Sequence, residues 1–326
     1  TFSGSSSFLY RKLTNGNLII SSGEDKISYH SKSFYEVTML GEIVKEYAIP
    51  NYQHHEIREL PNGNFLVASN SQPIVLRDGN PEEDLVIEVD RASGSIIKSW
   101  DLNEILDPTR TPIPGSRPDD WFHLNAVYYD QDDQSIVVSG RSQSCVAKID
   151  YNTNEVKWIL ANHNLWSPAF ANKLLTPVND SGSEIDVSQM AFWTAGQHAP
   201  LKLPNGNVMI YDNGDYRGFY DNPDVTRNSY TRIVEYEIDE FNNKVKLVSE
   251  FSYKNINTPF TGDIDYIAET GGYLIGFMNA TSNSELVSTP KILELSSTKE
   301  ILFEVDIDPN AASYYRAERM HIYDGL

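Results

Sequence analysis

The chain has 326 residues, 40% of them hydrophobic and 22% charged, with 19 tyrosines and 13 phenylalanines; this composition supports a large folded core and excludes general disorder. Acidic residues outnumber basic ones 46 to 26, for a net charge of -20, so nucleic acid and anionic membrane are poor partners and an anionic substrate needs a local positive site. A single cysteine, Cys145, rules out an intrachain disulfide, and no apolar run reaches the roughly 18 residues of a membrane span.

Internal repetition organises the sequence. One repeated unit is a hairpin of alternating apolar residues around a Gly, Asn, Asp or Ser turn. It occurs as FYEVTMLGEIVKEYAI (34–49), LVIEVDRASGSIIKSWDL (85–102) and CVAKIDYNTNEVKWIL (145–160), and again as RIVEYEIDEFNNKVKLVSEF (232–251) and KILELSSTKEILFEVDI (291–307). A second unit lies between them, built on NGN or a similar turn. Its copies are LYRKLTNGNLIISS (9–22), QHHEIRELPNGNFLVA (53–68), FHLNAVYYDQDDQSIVV (122–138), QHAPLKLPNGNVMIY (197–211) and IDYIAETGGYLIGF (264–277). Two hairpins per repeat predict an all-β protein, a β-propeller with four-stranded blades. YYRAERMHIY (314–323) reads as a further strand that closes the ring, so five or six blades fit the spacing. Residues 162–177 read as a short helix or a loop over one face, and the Asp-, Asn- and Gly-rich residues 212–230 as a long loop on the histidine face.

His55, His123 and His198 each stand five residues ahead of an equivalent position, Leu60, Tyr128 and Leu203, while Asp263 falls where the last copy would carry histidine. One repeat position taken from several blades rings the central channel of a propeller, so the three imidazoles are expected to converge. Arg141 ends the strand IVVSG and offers a permanent cation with fork geometry suited to a tetrahedral oxyanion. Asn125, two residues after His123, faces the same side of an extended strand, and Thr261 adds a hydroxyl. Such a set suits a sulfate or phosphate ester. Three imidazoles could also hold zinc, but a neighbouring guanidinium would repel the metal, so no metal is expected. A calcium-dependent propeller hydrolase or lactonase, drawing on the acidic loops 130–133 and 212–224, is the enzymatic alternative; a non-catalytic propeller scaffold is the other.

QHAPLKLPNGNVMIYDNGDYRG, DWFHLNAVYYDQDDQSIVVSGRSQSCVAKID, HHEIRELPNGN, RIVEYEIDE and YRAERM, in that set and spread over most of the chain, resemble the bacterial arylsulfate sulfotransferases that work without phosphoadenosine phosphosulfate. The resemblance implies a six-bladed propeller that moves a sulfuryl group from an aryl sulfate donor to a phenolic acceptor, ping-pong, through a sulfohistidine, with no cofactor. It implies His198 of the QH motif as nucleophile and matches His55 to the HH motif, His123 and Asn125 to the HxN pair and Arg141 to the SxRxQ phrase, with Thr261 a looser match; on chemical grounds His55 is the expected proton donor and acceptor, with His123, Asn125 and Arg141 around the sulfuryl oxygens. His54 adjoins His55, and the repeat register favours His55 as the ring facing the channel. The N-terminal β domain common in that family is not visible before Phe8, which leaves a single propeller domain over residues 1–326 as the expectation. Periplasmic or secreted localisation follows from the resemblance alone, and a homodimer is an assembly it allows.

Overall fold

The computed structural model describes residues 7–22, 30–70, 84–116, 120–188, 191–225, 230–254, 256–278, 281–282, 289–308 and 315–320. The first sheet runs in chain order through β1 (Ser7–Lys12), β2 (Leu18–Ser22), β3 (Ser31–Val37), β4 (Ile43–Glu59), β5 (Phe65–Ser69), β6 (Leu85–Val89) and β7 (Ile96–Asp101). A single helical turn, α1 (Leu102–Ile105), follows under an Asp101 cap. The second sheet is β8 (Leu124–Asp130), β9 (Ser135–Gly140), β10 (Cys145–Asp150) and β11 (Val156–Leu160). In the third, β12 (Thr176–Pro177) lies parallel to the outer edge of an antiparallel set, β13 (His198–Lys202), β14 (Val208–Asp212), β15 (Arg232–Asp239) and β16 (Lys244–Phe251). A two-stranded pair, β17 (Ile256–Asn257) with β20 (Thr281–Ser282), accompanies the last sheet. That sheet comprises β18 (Asp263–Ile267), β19 (Gly272–Phe277), β21 (Lys291–Leu295) and β22 (Ile301–Asp306).

The all-β expectation is met, and each alternating segment forms its hairpin. The sheets contain seven, four, five, two and four strands, and no ladder among the described residues joins the last to the first. The seven-stranded sheet exists because β4 serves two sets. Its first half pairs with β3 and its second with β5, and the exchange falls around Gln53, which is opposite both Ser31 and Ser69. Pro50, which has no N–H to give a ladder, sits just before that exchange. Residues 162–177 hold one 3-10 turn, Pro168–Phe170, before β12. Residues 315–320 form no strand, contrary to the sequence expectation; 314 and 321–323 of that segment are outside the described residues.

The NGN repeat has a physical cause. Gly16, Gly63 and Gly206 take φ of 84°, 85° and 89°, which suits glycine because it has no Cβ. Each pair of flanking asparagines donates to one glutamate of the third strand. Asn15 and Asn17 reach Glu36 at 2.9 and 2.6 Å, and Asn62 and Asn64 reach Glu88 at 3.1 and 2.8 Å. Asn205 and Asn207 reach Glu235 at 3.4 and 2.7 Å. One turn therefore pins a third strand to its hairpin.

The second strands of the three middle sets are buried on both faces, and this stacks those sets in sequence. Every residue of β5, β9 and β14 is buried. Phe65 and Val67 pack with Phe34, Tyr47 and Ile87, whereas Leu66 and Ala68 turn to Val127, Ile136 and Val138. Val137 faces the other way, toward Val208, Ile210 and Tyr236, and Met209 and Tyr211 continue to Ile264, Ile275 and Phe277. At about 1.5–3 kcal/mol for each large apolar side chain, these interfaces outweigh any polar contact between sets. The first and last sets meet through charges. Arg11 on β1 lies 3.5 Å from Asp265 on β18 and 3.6 Å from Glu318, while Arg316 donates to Glu56 at 2.9 Å and to the His55 carbonyl at 2.7 Å. Burial opposes ionisation of Glu56, yet Arg316, Arg58 and Arg11 hold its pKa down to about 2.

Candidate active site

The three repeat histidines sit at irregular points in or beside the first strands of their hairpins. The β4–β5 register slips between Gln53 and Ile57, the β8–β9 register between Leu124 and Ala126, and the β13–β14 register between His198 and Leu201. At the same points His55, His123 and Ala199 have φ of 49°, 54° and 46°, and Thr261 takes 65° just before β18. Left-handed backbone at a non-glycine residue is unfavourable, and such strain concentrates where a side chain must be aimed. Extra residues at strand ends do the aiming here.

The rings converge as the repeat register predicts. His55 and His123 lie edge to face with centroids 5.0 Å apart. Tyr315, delivered by the clasp of Arg316 on Glu56, stands 5.4 Å from His55 and 6.2 Å from His198. Of the adjacent histidines, His55 faces His123 and Tyr315, whereas His54 is fully buried against His30 and meets His55 through their Nδ1 atoms at 2.8 Å.

His198 is 2% exposed. Burial pushes its pKa down to about 3; the hydrogen bond with Asn213 opposes the shift, and the neighbouring Arg141 and His123 charges add to it. The ring is therefore neutral at physiological pH. Its strand is anchored by Gln197, whose amide donates to Ser139 Oγ, Gly140 O and Cys145 O at 3.1, 3.2 and 2.8 Å. The turn before it needs a glycine. Gly196 has φ of 61°, and a Cβ there would lie 2.9 Å from the Asp215 Cβ.

Arg141 donates to Asp215 at 2.6 Å, so the loop 212–230 does reach the histidine face; residues 226–229 of that loop lie outside the described residues. Its Nε is buried with no hydrogen-bond partner among the described residues, which leaves a donor to be satisfied by an oxyanion. Asn125 is buried and gives its amide to the Gln197 carbonyl at 2.6 Å, which ties the His123 strand to the residue before His198. Thr261 enters through its backbone: its carbonyl accepts from Asn213 at 2.7 Å. His123 Nδ1 is bonded to Asp120.

Sequence reasoning did not single out Asn213, Asp215, Asp120 or Tyr315. The first two lie in the DNGDYRG phrase and the last in YRAERM, so the phrases were visible but the roles were not. The acidic loop that suggested calcium is occupied by lysines: Lys148 lies 2.9 Å from Asp130 and 3.0 Å from Asp133, and Lys202 lies 2.6 Å from Asp132. Asp212 is likewise held by Arg217 and Arg232. Among the described residues no group of His, Cys, Asp and Glu is arranged to hold a metal ion, and no helix is long and apolar enough to cross a membrane.

Residues 4–316 match the arylsulfotransferase (ASST) family model. The chain belongs to the arylsulfotransferase family. Two relatives of this family are named arylsulfate sulfotransferase AssT. The one from Escherichia coli is 30% identical over 87% of this chain, and the one from Lelliottia amnigena is 28% identical over 88%. The alignment covers 56% of the length of each, so this chain spans about half of the relatives it matches. Among solved structures, a protein of unknown function from Bacteroides caccae is similar in fold, with a TM-score of 0.51 at 13% identity, covering 95% of this chain and 84% of that one.

Proposed function

We propose that this arylsulfotransferase family member moves a sulfuryl group from an aryl sulfate to a phenol, through a sulfuryl intermediate on His198, in a six-bladed propeller located in the periplasm or outside the cell. The observation that carries the reading is a buried imidazole at His198, flanked by His123 and by the Arg141 guanidinium, whose buried Nε has no hydrogen-bond partner among the described residues. Two relatives bear the name of this activity. Sulfuryl transfer, like phosphoryl transfer, asks the protein mainly to position the groups and to stabilise charge on the equatorial oxygens. A covalent intermediate lets donor and acceptor use one pocket in turn.

In this reading Arg141 and His123 donate to the sulfuryl oxygens, Asn125 holds the two inner strands in register, and Tyr315 offers an aromatic surface against which an aryl ring can stack. His55, in its protonated form, gives the proton to the departing phenolate and later takes one from the acceptor phenol. His55→Gln is accordingly expected to slow donors with poor leaving groups more than donors with acidic phenols. A series of aryl sulfates of graded phenol pKa measures this, and an unchanged slope would remove His55 from proton transfer. The central test is mass spectrometry of protein incubated with an aryl sulfate and no acceptor. The expected product is an acid-labile sulfuryl adduct on the peptide containing His198; an adduct elsewhere would overturn the assignment.

A further inference from the structure

We propose that Asn213 is the positioning residue that decides which nitrogen of His198 reacts, holding the ring proton on Nδ1 and leaving Nε2 to attack sulfur. The inference rests on the reading of His198 as nucleophile. Thr258 O and Thr261 O lie 2.6 and 2.7 Å from one end of the Asn213 amide. Carbonyls only accept, so that end is the NH2 group. The amide oxygen then faces His198 Nδ1 at 2.7 Å. An amide oxygen also only accepts, so Nδ1 must carry hydrogen.

The ring has a single proton when neutral, so Nε2 keeps its lone pair. The clamp is rigid: Asn213 is 0% exposed, and Thr258 is fixed by the Tyr211 hydroxyl at 2.7 Å and the Thr231 hydroxyl at 2.8 Å. Thr231 Oγ1 in turn donates to the Asn213 backbone carbonyl at 3.2 Å. The last set, one of the two without a repeat histidine, thus contributes through Thr261, by orienting the amide that orients His198.

The atoms balance. The Nε2 pair forms the N–S bond while the S–O bond to the aryl group breaks, and the phenol oxygen leaves with that pair. The ring, now cationic, keeps Nδ1–H on the Asn213 oxygen, whose dipole stabilises the new charge. The acceptor oxygen, losing its proton to His55, then bonds to sulfur, and the N–S pair returns to Nε2.

The test begins with the unaltered protein, labelled with nitrogen-15 at histidine, with His198 assigned by comparison with His198→Asn. The expected signature is a protonated Nδ1 and a bare Nε2; a bare Nδ1 overturns the proposal. Asn213→Leu is expected to lose that signature and to lower kcat by about 10–100-fold, the scale found for partners that orient a metal-bound imidazole, with KM for the aryl sulfate little changed. A variant that keeps the signature, or keeps its kcat, overturns it. An adduct mapped to Nδ1 of His198 would end the positioning role while leaving the nucleophile in place. The expected tautomer in a protein that never forms an adduct would do the reverse.

Discussion

His198→Asn is expected to lower sulfuryl transfer from an aryl sulfate by about 10⁴-fold or more, the scale seen when a covalent nucleophile is removed. Asparagine has no lone pair able to form a stable bond to sulfur, and the adjacent amides cannot supply one: Asn213 faces the ring with its oxygen and Gln197 spends its amide on β9 and β10. Near-normal turnover in the variant would refute the assignment. The same variant carries a thermodynamic signature. The folded pKa of His198 is depressed to about 3 from 6.5. Below 6.5 the unfolded chain binds a proton that the folded protein refuses until about pH 3. The stability associated with this group is therefore complete above 6.5 and is lost as pH falls, at about 1.4 kcal/mol per pH unit. Between about pH 7.5 and pH 5 the unaltered protein should lose about 2 kcal/mol more than His198→Asn. Urea unfolding at the two pH values checks this, and equal losses would mean that the imidazole is already charged in the fold.

Asp212→Ala is expected to destabilise the protein by about 3–5 kcal/mol, the cost of stranding buried charge. Asp212 is 0% exposed and Arg232 is 2% exposed. One carboxylate oxygen accepts from Arg232 Nε at 2.8 Å and from Arg217, and the other accepts from the Ala195 and Gly214 backbone at 2.9 and 3.2 Å. Burial works against ionisation of this acid, but Arg217 and Arg232 more than offset it and hold its pKa below the usual range. Removing the carboxylate leaves two guanidiniums facing each other and frees the turn that leads into His198. Activity should therefore fall together with the unfolding midpoint. A loss below about 1 kcal/mol would show that water or Glu250, which lies 2.6 Å from Arg232, takes over the role.

Much of the site was legible because it is written in a repeat. His55, His123 and His198 occupy one register position, and register is a local property: alternation decides which face a residue takes, and an NGN turn decides where the strand begins. Arg141 was legible for the same reason, as the end of a strand adjoining the His123 strand. Asn213 and Asp215 were not. They lie in a loop without periodicity, and their partners, Thr261 and Arg141, come from other sheets. Tyr315 reaches the histidines from a segment that carries no strand pattern in the structure at all, held by an ion pair with a residue some 260 positions away.

By itself, then, the sequence determined the all-β class, the five alternating hairpins and the histidine register, since each depends on side chains a few residues apart. Tertiary structure alone decided that β4 is one strand shared by two sets and that the Asn213 amide faces the His198 ring. Those outcomes depend on which distant surfaces stack. That choice is made by burying both faces of β5, β9 and β14 between neighbouring sheets, an arrangement that no local pattern encodes.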